Sequence, residues 1–395
     1  MVSAVMPTYL RQPVAFVRGQ GVWLYDALGH AYLDALSGIA VCGLGHAHPK
    51  ITAALAEQAA TLIHTSNLYQ IPLQDELAAR LCQISGMQQV FFCNSGAEAN
   101  EAALKLARLH GHRRGITAPE VLVMEQSFHG RTMATLAATG NPKVQRGFAP
   151  LMPGFVRVPF GDTQAINQAL EQHPQIVAIL VEPIQGESGV RMPDQGVNDW
   201  LHQLRTLCDT HNLLLMLDEI QTGNGRTGRY FAYQHSAMLP DVVTTAKGLG
   251  NGFPIGAVLV QGKAVDLFSP GMHGSTFGGT PLACRVALAT IEQICNGAMA
   301  NAEEQGAYIQ TSLRQRLRTF DVEITGLGLM IGVILPKDAP TLVDAARRAG
   351  LLFALSSGNR IRLLPPLIIT KEEADLLIDR LTAVVSAFLN TPEAQ

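Results

Sequence analysis

Residues 212–223 have the sequence NLLLMLDEIQTG, in which an aliphatic run ends directly against the carboxylates Asp218 and Glu219. A continuous aliphatic run of this kind is typical of a strand that is buried on both faces of a parallel sheet. A carboxylate at the end of such a strand is costly to bury unless a cationic group meets it. The stretch therefore predicts an α/β fold in which Asp218 faces a cationic partner at the edge of the sheet.

Short apolar runs alternate with helix-like segments through the middle of the chain, and each run ends in a polar segment. The transitions are QQVFFC to NSGAEAN, EVLVM to EQSFHGRT, QIVAILV to EPIQGESG, LLLML to DEIQTG and DVVTTA to KGLGNG. This alternation predicts a mostly parallel sheet covered by helices on both faces. Because ligands bind beyond the carboxyl ends of such strands, the polar segments together predict one polar site at that edge.

The two ends of the chain show a different rhythm. VWLY and HAYLD are predicted to be strands joined by the turn DALG. After about Pro281, TGLGLMIGVIL and NRIRLLPPL are each predicted to be a strand, and EEADLLIDRLTAVVSAFL is predicted to be a closing helix. These segments predict a second unit that packs tightly on the first.

Composition and charge exclude several classes of protein. Of the 395 residues, 47% are hydrophobic and 15% are charged, and the net charge of −3 gives no support to nucleic-acid binding. So little charge on so long a chain predicts that further surface is buried between subunits. The N-terminal MVSAVMPTYLRQP lacks the pattern of a signal peptide, no apolar run reaches membrane-spanning length, and no two cysteines have CxxC spacing. We therefore predict a soluble, cytoplasmic protein with reduced cysteines.

The segment NSGAEANEAALKLAR, which begins at Asn94, predicts an anion site at the start of a helix. Ser95 and Gly96 lie where the helix begins, and the free backbone N–H groups there attract a phosphate, with the helix dipole behind them. A plain N-cap by Asn94 or Ser95 explains the same residues equally well. The chain has neither a GxxxxGK[ST] loop nor a GxGxxG segment after a strand, so a nucleotide is not the favoured phosphate carrier.

Lys247 follows VVTTA and precedes the flexible segment GLGNGFP. Burial disfavours the ammonium form of a lysine and makes it a nucleophile, although an exposed loop lysine is an equally acceptable interpretation. A carboxylate such as Asp218 can keep a pyridine nitrogen protonated, and Phe128 can stack on an aromatic ring. Together with a phosphate site, these side chains match the needs of pyridoxal 5′-phosphate.

Several other polar residues have ambiguous roles in the sequence. His46 and His48 of HAHP suggest a metal, but no third ligand follows at a suitable spacing, so no metal site is predicted. Glu182, which precedes a proline, is either a residue of the site wall or a member of a salt bridge. The residues expected to be structural are His129 (lining the cavity), Glu219 (supporting its own loop) and Trp200 (in the core).

Several long motifs of the chain resemble the class III aminotransferases of PLP fold type I. They are FFCNSGAEANEAALKLAR, SFHGRT, VEPIQGESGV, LDEIQTGNGRTG, AKGLGNGFPIGA, HGSTFGGTPLAC and IRLLPPL. The resemblance extends over nearly the whole chain, including GVWLYDALGHAYLDALSGIAVCGLGHAHPKI. It implies a large domain with a mostly parallel seven-stranded sheet covered by helices, and a smaller α+β domain. The implied bounds are 1–60 for an N-terminal segment that joins the small domain, 61–284 for the large PLP-binding domain and 285–395 for the C-terminal small domain.

The resemblance also implies roles for motif residues around the cofactor, pyridoxal 5′-phosphate. Lys247 of AKGLG is implied to bind the cofactor covalently, and Asp218 of DEIQTG to pair with its pyridine nitrogen, which makes these two the implied catalytic residues. The other implied cofactor contacts are Gln221 at the phenolic oxygen, Ser95, Gly96 and Ala97 at the phosphate, Phe128 on the ring, and Thr276 of HGSTFGG at the phosphate of the neighbouring subunit.

Substrate-binding roles follow from the same resemblance. Arg131 of HGRT resembles the arginine that grips a substrate carboxylate at the far end of the pocket, and Arg362 of IRLLPPL resembles the one that takes the α-carboxylate of glutamate. Glu187 of QGESG resembles the glutamate that pairs with the second arginine when the amino donor is a terminal amine. Ser275 is placed with the substrate contacts. A planar guanidinium suits either kind of carboxylate.

Two positions depart from the family pattern. Thr280 stands in STFGGT where the family usually has asparagine, near the implied phosphate site. Ile39 stands in SGIAV about where ornithine aminotransferases carry a tyrosine that contacts the substrate. The second departure favours an N-acylated substrate over free ornithine.

Within the family, the compact length and the motifs SGIAVCGLGH, HTSNLY and SFHGRT resemble the branch that acts on N2-acetyl-L-ornithine. The implied reaction moves its terminal amine to 2-oxoglutarate and gives N-acetyl-L-glutamate 5-semialdehyde and L-glutamate, a step of arginine biosynthesis. The implied partners are these small molecules and a second copy of the chain, in a homodimer with shared active sites. The alternatives are transamination of ornithine, succinylornithine, succinyl-diaminopimelate or 4-aminobutyrate, a decarboxylase or racemase on the same scaffold, and a PLP-binding protein without turnover.

Overall fold

The structure, a computed structural model, describes residues 4–391. Residues 1–3 of the expected N-terminal segment and residues 392–395 of the expected C-terminal domain lie outside the described residues. The strands are β1 (Phe16–Gln20), β2 (Trp23–Asp26), β3 (Ala31–Asp34), β4 (Gln89–Cys93), β5 (Glu120–Met124), β6 (Phe155–Val158), β7 (Ile176–Val181), β8 (Leu214–Asp218), β9 (Val242–Thr245), β10 (Gly256–Val260), β11 (Glu323–Leu327), β12 (Met330–Ile334), β13 (Leu351–Leu352), β14 (Ala354–Ser356) and β15 (Arg360–Leu363).

Helices separate most of these strands. They are α1 (Ser37–Ala40), α2 (Pro49–Thr61), α3 (Pro72–Ser85), α4 (Gly96–Arg113), α5 (Met133–Ala138), α6 (Pro142–Gln145), α7 (Thr163–Gln172), α8 (Val197–Thr210), α9 (Pro281–Gln293), α10 (Met299–Arg316), α11 (Leu342–Arg348) and α12 (Lys371–Asn390). The closing helix predicted from EEADLLIDRLTAVVSAFL is α12, which begins with a capping box between Thr370 and Glu373.

The central sheet has seven strands in the order β4-β10-β9-β8-β7-β5-β6. The pairs from β9 to β6 are parallel, and β10 runs antiparallel to both of its neighbours, β4 and β9. It follows that every strand except β10 points the same way. The carboxyl ends of β4, β5, β7, β8 and β9, which carry the polar segments noted in the sequence, therefore lie along one edge.

Strands β7 and β8 are buried along their whole length, because their side chains enter two separate hydrophobic clusters. Ile179 and Leu215 belong to the cluster that contains Trp200 of α8, whereas Leu180 and Met216 belong to the cluster formed with α4. Because successive side chains of a strand point to opposite faces, these clusters lie on opposite sides of the sheet. Helices α8 and α4 thus cover the two faces of the sheet, as a continuously aliphatic strand requires.

Two smaller sheets flank the central one. The first has the order β1-β2-β3-β13, so a strand from the C-terminal region extends the N-terminal sheet, and the second has the order β11-β12-β15-β14. The single strand predicted from TGLGLMIGVIL is wrong, because β11 and β12 form a hairpin there. Gly328 makes the turn with a φ of 56°, and a Cβ on it would lie 2.6 Å from the backbone of Thr227.

The turn α1 brings the N-terminal segment to the polar edge of the central sheet. Its residues, from Ser37 to Ala40, all have positive φ, which is a costly backbone conformation for side chains other than glycine. Asp34 supports the turn by accepting hydrogen bonds from the backbone N–H groups of Leu36 and Ser37. The other oxygen of Asp34 lies 2.8 Å from Nε2 of His46 and raises the pKa of that imidazole to about 9. His46 is thus engaged with a structural carboxylate.

Within residues 4–391, no helix combines the length and apolar character needed to cross a membrane. The six cysteines are free thiols. Burial raises the pKa of Cys93, Cys208 and Cys284 to about 12, which makes these thiols unreactive.

Trp200 tests the packing of α8 on the sheet. Its side chain is fully buried against Phe160 in an edge-to-face contact, and its indole N–H has no hydrogen-bond partner among the described residues. Trp200→Ala is expected to lower the free energy of unfolding by about 3–5 kcal/mol, whereas Trp200→Phe is expected to cost about 1 kcal/mol or less, because it also removes an unsatisfied donor. Urea titration of both variants measures the difference.

Trp23→Phe is the matched control, because the indole N–H of Trp23 donates to Glu373 at 3.3 Å and its loss removes a bond. Equal losses of stability in Trp200→Phe and Trp200→Ala would show that this account of the core is wrong.

Candidate active site

The polar ends of the five strands surround one cavity of about 710 Å³. Its wall includes nine of the residues predicted from the sequence: Ser95, Gly96, Ala97, Phe128, Arg131, Glu187, Asp218, Gln221 and Lys247. The turn α1 contributes Gly38 and Ile39 to the same wall. The structure therefore brings together side chains from the N-terminal segment and the middle of the chain at the place where parallel strands end.

Asp218 ends β8 with a side chain that is only 4% exposed. Its Oδ2 accepts hydrogen bonds from Nδ2 of Asn100 at 2.7 Å and from Nδ1 of His129 at 2.8 Å, and its Oδ1 accepts one from the backbone N–H of Ile220 at 3.2 Å. Asn100 is held in turn by the hydroxyl of Thr244 at 2.8 Å. These donors fix the position and orientation of the carboxylate.

The sequence suggested only that His129 lines the cavity, but the structure shows that it also contacts Asp218. Its ring is fully buried, and the Nε2 atom has no hydrogen-bond partner among residues 4–391. Because an ionised carboxylate can only accept, the imidazole places its proton on Nδ1 toward Asp218. His129 therefore orients the acid.

Lys247 follows β9 in the positive-φ conformation (φ 45°) and lines the cavity from the side of the sheet. Burial lowers the pKa of its ammonium group, and the charge of Arg362 lowers it further, while Asp218, Glu182 and Glu187 act in the opposite direction. A lysine with a lowered pKa has more of its amine free at neutral pH. Lys247 is half-buried in the cavity wall, so the structure supports the nucleophilic interpretation over that of an exposed loop lysine.

The start of α4 lies at the cavity wall, where the sequence predicts an anion site. Ser95 caps the helix by accepting a hydrogen bond from the backbone N–H of Glu98 at 3.2 Å, so the plain N-cap interpretation also holds. The first N–H groups of the helix, at Gly96 and Ala97, have no partner within the helix and belong to residues of the cavity wall. A Cβ on Gly96 would lie 2.7 Å from Ile220, so only glycine fits there.

Arg362 and Glu187 form the ion pair that the motifs predicted. Nη1 of Arg362 donates to Oε2 of Glu187 at 3.1 Å, to the carbonyl of Gly186 at 3.0 Å and to Oε1 of Gln221 at 3.4 Å. Arg362 lies on β15 and is 2% exposed, whereas the side chain of Glu187 is 45% exposed. The carboxylate of Glu187 therefore borders solvent, whereas Arg362 is enclosed. The Nε of Arg362 is buried without a partner among the described residues.

Arg131 lies at the opening of the cavity, with its guanidinium carbon 5.7 Å from the centroid of the Phe128 ring. Ser275 does not belong to the cavity wall; its hydroxyl accepts from Nδ2 of Asn94 at 3.1 Å. Thr276 is exposed outside the wall, and its implied contact with a neighbouring subunit stays a prediction. Thr280 donates its hydroxyl proton to the carbonyl of Ile63 at 2.6 Å before α9 begins.

Sequence reasoning missed or left open several residues of the site. Asn100 gave no signal, because it is one polar residue among the small residues of α4. Glu182 lines the wall, and burial followed by the charge of Asp218 raises its pKa to about 7. Glu219 supports its own loop, as expected, by accepting from the backbone N–H groups of Ala232 and Tyr233, both at 2.9 Å.

Curated proteins are similar in sequence to this chain over nearly its whole length. The acetylornithine aminotransferase of Nitrosomonas europaea is 53% identical over 392 residues, which cover 98% of this chain and 99% of that protein. Acetylornithine aminotransferase 1 of Bordetella bronchiseptica is 48% identical with the same coverage.

Solved structures agree with the relatives on the fold. The ornithine aminotransferase of Toxoplasma gondii ME49 superimposes with a TM-score of 0.93 at 34% identity, over 97% of this chain and 93% of that one. The acetylornithine aminotransferase of Elizabethkingia anophelis gives a TM-score of 0.86 at 34% identity, over 97% and 96%. The fold class implied by the motifs is confirmed.

The family match covers nearly all of the chain. Residues 5–385 match the family described as Aminotransferase class-III. This match, the relatives and the residues gathered at the sheet edge agree with one another. The chain belongs to the class III aminotransferase family.

Proposed function

We propose that this chain moves the terminal amino group of N2-acetyl-L-ornithine to 2-oxoglutarate, with pyridoxal 5′-phosphate as its cofactor. The observation that carries the proposal is the ion pair between Arg362 and Glu187, 3.1 Å apart beside Lys247, since it serves an enzyme with two unlike substrates. The relatives named acetylornithine aminotransferase, at 48–53% identity, support this choice of amino donor.

The residues of the cavity fit the cofactor. The free N–H groups at the start of α4 suit a phosphate, and the fixed carboxylate of Asp218 suits a protonated pyridine nitrogen. A Cβ on Gly256 would lie 2.6 Å from the carbonyl oxygen of Ser95. The backbone around the start of α4 therefore requires glycine at position 256. Phe128 offers a ring for stacking, and Gln221 an amide for the phenolic oxygen.

Bound pyridoxal phosphate supplies an aldehyde that captures amines and a protonated ring that accepts electrons. The chain supplies the proton transfers. Lys247 accepts the proton from the δ-carbon of the amino donor, because its lowered pKa leaves the amine free. Asp218, oriented by His129 and Asn100, keeps a positive charge on the ring nitrogen.

Glu187 and Arg362 adapt the cavity to each substrate in turn. The uncharged portion of the amino donor lies near Arg362 while Glu187 neutralises the guanidinium. A 2-oxo acid brings its own carboxylate, so Glu187 must release the arginine. The exposed side chain of Glu187 and the fixed position of Arg362 suit this exchange.

Ornithine is the second candidate for the amino donor, because structures named ornithine aminotransferase superimpose with TM-scores of 0.93 and 0.94. Ile39 argues for the acylated donor, since it contributes an aliphatic side chain, 37% exposed, to the cavity wall. Succinylornithine, succinyl-diaminopimelate and 4-aminobutyrate are the other candidate amino donors.

We also propose that the chain acts in the cytoplasm as a homodimer with shared active sites. Large apolar side chains are exposed around Thr276: Leu68 at 88%, Tyr69 at 70%, Phe277 at 61% and Met272 at 47%. Burial of these side chains against a second copy would place Thr276 at the neighbouring cavity. The division at residues 60 and 284 into an N-terminal segment, a large domain and a C-terminal domain is part of the same proposal.

Lys247→Ala is expected to reduce turnover roughly a thousandfold or more, because it removes both the attachment point and the proton carrier. Borohydride treatment followed by peptide mass spectrometry should find the reduced cofactor on Lys247 in the wild type and on no lysine in the variant. Lys263→Ala, after β10, is the matched control and should behave as wild type. Ordinary activity in Lys247→Ala would refute the assignment.

Glu187→Ala is expected to slow the half-reaction with acetylornithine by about tenfold and to leave the half-reaction of 2-oxoglutarate unchanged or faster. The reason is that Arg362 loses its neutralising partner while its site for a carboxylate stays open. Stopped-flow absorbance measures each half-reaction separately, with Glu171→Ala on α7 as an exposed control. If both half-reactions slowed by the same factor, the exchange between glutamate and substrate would not exist.

A further inference from the structure

Glu182 directly follows β7 and joins two loops of the cavity. Its side chain is 6% exposed and belongs to the cavity wall. Oε1 accepts a hydrogen bond from the backbone N–H of Phe128 at 2.9 Å, and Oε2 accepts one from the backbone N–H of Gly186 at 3.1 Å. One carboxylate thus connects the loop of Phe128 to the loop of Glu187.

Gly186 connects Glu182 to Arg362 through two backbone hydrogen bonds. The carbonyl oxygen of Gly186 accepts a hydrogen bond from Nη1 of Arg362 at 3.0 Å, the same nitrogen that donates to Glu187. A Cβ on Gly186 would lie 2.3 Å from Oε1 of Gln221, so this residue has little freedom to move. Gly186 is therefore held by Glu182 at its N–H and by Arg362 at its carbonyl.

We propose that Glu182 is a positioning residue that acts in its ionised form, holding Gly186 so that Arg362 is aligned for the carboxylate of the 2-oxo acid. The inference rests on the proposed function, because it concerns a dicarboxylate bound at Arg362. An ionised carboxylate accepts strongly from both N–H groups, one at each oxygen. Protonation turns one oxygen into a donor, which then opposes an N–H. The dicarboxylate site should therefore loosen when Glu182 gains a proton.

Several charges act on Glu182 from the elements around it. Burial raises its pKa most and Asp218 raises it further, whereas His129 and the two backbone N–H groups lower it, and the balance is a pKa of about 7. Above that pH both hydrogen bonds hold, and below it one is lost. The titratable and charged groups around Glu182 and Lys247 are His129 after β5, Asp218 on β8, Lys247 after β9, Arg362 on β15 and Glu187 in the following loop.

The test is the pH dependence of glutarate binding to the cofactor-loaded wild type and to Glu182→Gln. Glutarate has the two carboxylates of 2-oxoglutarate without its reactive carbonyl, and calorimetry gives its Kd without any turnover. Glutamine keeps one acceptor but turns an amide N–H toward the other backbone N–H. At pH 8 the variant should bind glutarate about tenfold more weakly than the wild type, which is the effect of one charge-assisted hydrogen bond. At pH 6 most of the difference should disappear, because the wild type is then mainly protonated.

Glu120→Gln is the matched control. Glu120 begins β5, at the opposite edge of the sheet, where it lies 3.1 Å from His173, so its loss should leave glutarate binding unchanged at both pH values. Wild-type affinity in Glu182→Gln at pH 8, or an equal loss at both pH values, would overturn the proposal.

Two measurements on the wild type support the comparison with the variant. If Glu182→Gln does not fold, the wild-type profile decides, because a Kd for glutarate that does not change between pH 6 and pH 8 also overturns the proposal. Uptake of pyridoxal phosphate by the wild type, followed by its visible absorbance, tests the proposed function separately, so a failure of that function is distinguishable from a failure of this inference.

Discussion

The placement of one buried carboxylate determines how the rest of the site is arranged. Asp218 receives its hydrogen bonds from His129, Asn100 and the backbone of Ile220, none of which needs to carry a positive charge. An ionised carboxylate that is buried among neutral donors is costly in free energy unless a cation also lies near it. In the proposed function a protonated pyridine nitrogen would meet that requirement, and Lys247, the start of α4, Arg131 and Arg362 are the residues that would bind the rest of the cofactor and the substrate.

The sheet supplies this arrangement through its direction. Because β10 alone is reversed, β4, β5, β7, β8 and β9 all end on the same edge. Arg362 reaches the edge from another sheet, and Arg226 helps to hold that sheet in place. The guanidinium of Arg226 is buried and donates to the carbonyls of Leu329 at 3.1 Å and Pro365 at 2.6 Å. The loop that follows Asp218 is thereby tied to the turn between β11 and β12 and to the segment that follows β15, the strand that carries Arg362.

The sequence was sufficient for residues whose position depends on a strand end. Asp218 and Lys247 follow aliphatic runs, so a parallel sheet alone brings them to one edge. The pairing of Arg362 with Glu187 was predicted only through the resemblance to a family, since no local pattern relates residues on different sheets. Glu187 itself lies after a strand, but its partner could not be named from spacing.

Residues that depend on tertiary packing were beyond local patterns. Asn100 reaches Asp218 because α4 crosses the sheet at the end of β8, and nothing in its own segment indicates this. The hairpin between β11 and β12 was hidden because TGLGLMIGVIL is apolar on both sides of Gly328, and apolar runs do not mark a turn. The two hydrogen bonds of Glu182 join loops whose approach follows from the order of β5 and β7 in the sheet.

The most direct test of the account is the affinity of the apoprotein for pyridoxal phosphate in the wild type and in Asp218→Asn, followed by absorbance and fluorescence. If the buried carboxylate holds the ring cation, the neutral asparagine should weaken binding roughly a hundredfold. The absorbance band of the bound cofactor should also shift in that variant. A wild-type protein that takes up no pyridoxal phosphate, or an Asp218→Asn variant with unchanged affinity and spectrum, would contradict the account.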